Sequence, residues 1–111
     1  MTAFEAIQIA VAGINMPKSP QSYTGKEKNY IVYNYDSDHG ADFGDDEPEC
    51  VLVSVQVHLY LPLSANFQSL RKQIRNSLYK GGFTYPSVTE IREEDTQMRH
   101  LAFECQFIEE K

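Results

Sequence analysis

The densest collection of groups able to do chemistry lies in residues 36–49, DSDHGADFGDDEPE, where Asp36, Asp38, Asp42, Asp45, Asp46, Glu47 and Glu49 are seven carboxylates in one short segment. Clustered carboxylates suit hard divalent cations. Asp36, Asp38, Asp42 and Glu47 even fall at positions 1, 3, 7 and 12 of a calcium-loop template. The template fails at positions 5 and 6, where Gly40 and Ala41 replace the required Asp or Asn and Gly, and its flanks read as strands instead of helices. The segment therefore reads as a solvated connector or docking loop, with no metal assigned.

The imidazoles are His39, His58 and His100. His58 and His100 fall on the outward registers of their strands and become neighbours if those strands pair. Two imidazoles leave a zinc site short of ligands, and nothing in the spacing brings in His39 or an aspartate. They read as sheet-face residues. Cys50 and Cys105 lie in strand-like stretches and read as reduced thiols packed as small hydrophobes. No nucleophile elbow, phosphate-binding glycine loop or dinucleotide fingerprint is present. Glu90, Glu93, Glu94 and Asp95 have Arg92 and Arg99 at hand as ion-pair partners. There is no physical case for catalysis, and no cofactor is implied.

The positioning elements follow from periodicity. Between Cys50 and Leu61, Val51, Val53, Val55, Val57, Leu59 and Leu61 alternate with Ser54, Gln56, His58 and Tyr60, the period of a strand with one buried face. Pro62 ends it. Phe67, Leu70, Ile74 and Leu78 then share one helical face, with Ser64 or Asn66 as N-cap and Gly81-Gly82 as a left-handed stop. Earlier, residues 2–14 read as a helix with a Thr2–Glu5 capping box. A polar loop follows, and then the strand Tyr30–Tyr35. After the second helix, residues 87–108 read as a hairpin whose last strand turns Leu101, Phe103, Cys105 and Phe107 inward. The expectation is a single α+β domain over residues 1–111. It has a mainly antiparallel four-stranded sheet, two helices packed on one face, and a long acidic loop between the first two strands.

Charge is distributed unevenly. The net charge is −6, yet outside residues 36–49 the chain sums to about +1. An acidic total argues against nonspecific nucleic-acid binding. No apolar run reaches the length of a membrane span, and no basic leader precedes the apolar N-terminal stretch, so neither a span nor a signal peptide is read. The second helix displays Arg71, Lys72, Arg75 and Lys80 against the negative segment. Opposite charges on separate surfaces allow head-to-tail self-association, which closes into a ring if the rotation permits. The candidate contact residues are Asp36, Asp38, Asp42, Asp45, Asp46, Glu47, Arg71, Lys72 and Arg75.

The order of features resembles the tail terminator family, the small tail-completion proteins of long-tailed bacteriophages and prophages. An N-terminal helix and a lysine-bearing loop come first. The aromatic strand Tyr30-Ile-Val-Tyr-Asn-Tyr, an acidic loop with Ala41-Asp42 and Asp45-Asp46-Glu47, and a Val55-Gln-Val-His-Leu-Tyr strand follow. Last come the helix 67–78 with Gly81-Gly82-Phe83, and a Glu94-Asp95-Thr96 to His100-Leu-Ala-Phe hairpin. The likeness spans residues 4–109, and its motifs are structural in kind. It implies a ring, commonly a hexamer, at the head-proximal end of the tail tube. The partners would be further copies, the tail tube protein and a head connector or neck protein, with DNA passing the lumen unbound and no membrane involved. The location would be the virion, and the host cytoplasm during assembly. Two other readings stand beside it: another neck or connector component, and a small cytosolic metal- or ligand-binding domain.

Overall fold

The computed structural model describes residues 1–44 and 47–110. Helix α1 (Ala3–Val11) is followed by strands β1 (Lys18–Pro20), β2 (Tyr30–Gly44) and β3 (Glu47–Pro62). Helix α2 (Gln68–Lys80) and strands β4 (Ser87–Glu93) and β5 (Met98–Glu110) complete the chain. The strands form one sheet in the order β1-β2-β3-β5-β4. All neighbours run antiparallel except β1, which is parallel to β2.

The α+β class and the two helices are as the sequence predicts; the four-stranded antiparallel sheet is not. The fifth strand is β1, three residues within the stretch that reads as a polar loop. Lys-Ser-Pro carries no hydrophobic period. Its pairing comes from backbone alone: Ile31 N donates to Pro17 O at 2.9 Å and Gln21 N to Tyr33 O at 2.8 Å. Pro20 is tolerated because the strand is an edge.

The acidic loop is also corrected. Residues 36–44 continue β2, and β3 begins at Glu47, not Cys50. Opposite β3 the pairs His39–Leu52, Gly40–Val51, Ala41–Cys50, Phe43–Pro48 and Gly44–Glu47 extend the ladder. Ladder bonds are made by main chain and are indifferent to side-chain charge, so solvated carboxylates can ride on a paired strand. The register slips by one between Tyr35 and Ser37, which leaves Asp36 as the extra residue of a bulge. The resulting hairpin carries the molecule to a length of 54 Å against 25 and 23 Å across.

One face of the sheet is the core. Ile31, Tyr33, Val53, Val55, Val57, Leu59, Leu61, Leu101, Phe103 and Cys105 are buried there. Ile7 and Val11 of α1 and Ile74 and Leu78 of α2 cover them. α1 starts as predicted: Thr2 Oγ1 accepts from Glu5 N at 3.1 Å and Glu5 Oε1 accepts from Thr2 N at 2.9 Å. Those bonds hold the Glu5 carboxyl below its ordinary range. At the start of α2, Phe67 occupies the N-cap position without a side-chain bond, while Asn66 Oδ1 accepts from Gln68 N at 3.1 Å. Arg99 ties this entry to β5. Its guanidinium lies 4.2 Å from the Phe67 ring centre, and its Nε is 2.9 Å from Glu90 Oε2. The Arg99–Glu90 contact acts as an ion pair, because Nε has no aligned hydrogen-bond acceptor.

Candidate functional site

The other face of the sheet has no helix over it among the described residues, and His58 and His100 gather there with three of the chain's seven tyrosines, Tyr23, Tyr30 and Tyr60. Register places Tyr30 beside Tyr60 and Tyr60 beside His100. Their rings stack across the strands, Tyr30 on Tyr60 at 4.7 Å and Tyr60 on His100 at 4.3 Å, and Tyr23 caps the row on Tyr30 at 4.5 Å. The next row is Val32–His58–Ala102. The third is Asn34–Gln56–Glu104. His58 Nδ1 lies 2.6 Å from His100 Nε2, and His58 Nε2 lies 2.8 Å from Asn34 Oδ1. The sequence-level condition is thus met: β3 and β5 pair, and the two histidines are neighbours, half-buried and hydrogen-bonded.

Burial lowers the pKa of both histidines, and their mutual charge lowers that of His58 further. The Glu93 carboxylate works the other way on His100. Tyr30 and Tyr60 are pushed up, first by burial and then by neighbouring charge. Cys105 on the core face is pushed up to about 12 by burial, so it is a packed thiol and not a nucleophile.

The histidine shifts fix the sign of a pH effect. The folded state holds these imidazoles neutral below the ordinary value of 6.5, where the unfolded chain takes up protons. Stability is therefore full above that value, falls as pH drops from 6.5 toward the folded-state values, and levels off below them. Urea unfolding midpoints across this window should fall with acid in the native chain. The slope should flatten in the double variant His58→Gln, His100→Gln.

The predicted contact residues are scattered. Asp36 sits exposed in the bulge, beside a polar recess it shares with Ser54, Thr84, Ser87, Glu104 and Gln106. Asp38 is exposed opposite Val53. Asp42 lies in β2 and Glu47 opens β3, exposed. Asp45 and Asp46 lie outside the described residues. On α2, Lys72 is exposed and Arg71 Nε donates to Gln68 Oε1 at 3.1 Å. Arg75 Nε donates to Pro86 O at 3.0 Å and its guanidinium sits 5.0 Å from the Tyr85 ring centre. Arg75 thereby ties α2 to the chain entering β4. Sequence reasoning missed the Tyr23–Tyr30–Tyr60–His100 row, because the relative register of three strands is invisible until their pairing is known.

These features define an α+β domain whose five-stranded mixed sheet is covered by two helices on one face and bears a stacked aromatic row on the other. The same fold occurs in a chain of a solved structure described as "Virion of native gene transfer agent (GTA) particle". The TM-score is 0.58 at 10% identity, over 97% of this chain and 91% of that one. No protein-family model and no curated protein matches the sequence. No helix among the described residues is long and apolar enough to cross a membrane.

Proposed function

We propose that this chain is a structural protein of a phage-type virion, and within that class a tail terminator or head–tail joining protein that assembles as a ring. The carrying observation is the shared fold with a virion chain along nearly the whole length of both molecules. The order of sequence features points the same way. The same observation suits a neck or connector component equally well. The role is architectural, without catalysis, and the partners are further copies, the tail tube protein and the head connector.

Two features of the fold support self-association. β4 is an edge strand, and β2 pairs outward only through Ile31, Val32 and Tyr33, so its outer edge beyond Tyr33 meets no strand among the described residues. Free edges on opposite sides of one sheet permit head-to-tail contacts. The acidic hairpin and the basic side of α2 add complementary charge.

Native mass spectrometry of the purified chain across concentration, with negative-stain imaging, tests the reading. A discrete closed oligomer with sixfold symmetry is expected. Reversing charge with Arg71→Glu and Lys72→Glu should shift it toward monomer at low ionic strength. A monomer at every concentration, together with absence from purified tails, would overturn the proposal. Calorimetry with calcium, magnesium, manganese and zinc addresses the metal-binding alternative separately.

A further inference from the structure

The hydrogen bonds on the open face run in one direction. Asn34 Nδ2 donates to Tyr35 O at 3.2 Å and to Gln56 Oε1 at 3.4 Å. Asn34 Oδ1 is then the acceptor toward His58, and His58 Nε2 carries the hydrogen along their 2.8 Å contact. A neutral His58 has its lone pair at Nδ1, so His100 donates from Nε2 across 2.6 Å. Gln56 Nε2 donates onward to Glu104 Oε1 at 3.3 Å. His100, His58, Asn34, Gln56 and Glu104 thus form a chain across β5, β3 and β2 that ends on a carboxylate.

We propose that the His58–His100 pair is an acid-operated latch between β3 and β5, closed while one hydrogen is shared between the rings and opened when both imidazoles are protonated. One proton from solvent is accommodated: one ring becomes an imidazolium and still donates to the neutral ring. A second proton makes both facing nitrogens N–H donors of like charge, and no acceptor remains between them.

The surroundings do not neutralise that second charge. From β3, Tyr60 stacks on His100, with Tyr30 of β2 and Tyr23 beyond it, and all three are uncharged in the acid range. Asn34 of β2 contacts His58 through a neutral amide, and Glu104 of β5 is reached only through Gln56. From β4, Ile91 lies opposite His100, and Glu93 supplies the carboxylate whose charge favours the imidazolium. One carboxylate balances one added proton, not two. A metal ion is a poorer occupant, because the pair gives only two donors and no third His, Cys, Asp or Glu joins them among the described residues.

The response is confined to this face. No polar or charged residue among those described is buried in the core, so acid has nothing to act on beneath the helices. Opening the latch frees His100 from Tyr60 and His58 from Asn34 while the helix-side packing stays intact.

Imidazole resonances of the full chain, followed by NMR from pH 8 to pH 4 with His39 as the third signal, test the latch. The pair should titrate in two steps separated by more than about one pH unit. The side-chain amides of Asn34 and Gln56 should move with the second step. In His58→Gln and in His100→Gln the surviving partner should titrate once, above the lower step of the native pair. Asn34→Asp, which places a carboxylate on His58 Nε2, should raise the first step. If each histidine keeps its native midpoint in the single variants, and Asn34→Asp leaves the first step in place, the rings are shifted by burial alone and the latch is overturned.

Discussion

Phe103→Ala should lower the unfolding free energy by about 3–5 kcal/mol, the usual range for emptying a fully buried phenylalanine site. Phe103 is among the largest side chains with no solvent exposure, on a strand that is itself interior to the sheet. Val57 and Val88 flank it on the neighbouring strands. Phe103 belongs to one buried cluster with Ile7 and Val11 of α1 and Ile74 and Leu78 of α2, and a site so enclosed between sheet and helices recovers little of the loss by collapse. A domain of this kind has about 5–15 kcal/mol in total, and the variant would sit near the edge of folding. Ile108→Ala removes a similar hydrophobe from the same strand, but Ile108 is 61% exposed, and the change should stay within about 0.5 kcal/mol. Urea denaturation of the two variants side by side checks this. Similar losses in both would mean that the core is not centred where the structure puts it.

The second large effect is conformational. Gly82 has φ of +103°, a region that side-chain-bearing residues rarely adopt. A Cβ there would also stand 3.3 Å from Phe107 Cε1. Gly82→Ala should therefore cost about 1–3 kcal/mol. Gly81, one residue earlier, has φ of −79°, and its added Cβ would meet the Ser77 carbonyl oxygen at 3.2 Å. Gly81→Ala avoids the backbone strain, so the two alanine variants should differ by more than about 1 kcal/mol in denaturation midpoints converted to free energy. Equal effects would show that the turn does not depend on the positive φ.

That pair also illustrates what a sequence can and cannot reveal. Gly81-Gly82 marks the end of α2 correctly, but which glycine takes the left-handed conformation depends on where Phe83 must go to be buried. The core was legible because the valines of β3 and the alternation of Leu101, Phe103 and Cys105 are direct consequences of burial on one face. Residues 36–44 were not, because their strand character is borrowed from β3 through backbone pairing and leaves no hydrophobic period behind. β1 was hidden for the same reason. The bulge at Asp36 adds a change of phase that no count of alternating residues anticipates. Of the candidate surface, the charges could be read directly, but not that Arg75 also bonds Pro86 O and lies against the Tyr85 ring. The histidine pair was legible only as a conditional, awaiting the pairing of β3 with β5.

The sheet order carries a kinetic consequence. β2 and β3 are adjacent in sequence and can zip as a hairpin, whereas β3 must find β5 across α2 and β4, as in Leu59 with Leu101. β4 pairs only with β5, so it has no place in the sheet until that later strand arrives. Contacts so distant along the chain place the domain among slower folders, on a scale of about milliseconds to seconds. Until β5 docks, the valine-rich edge of β3 stands open to strands of other molecules. Nascent chains crowded at a site of synthesis would meet their greatest risk of mispairing in that interval.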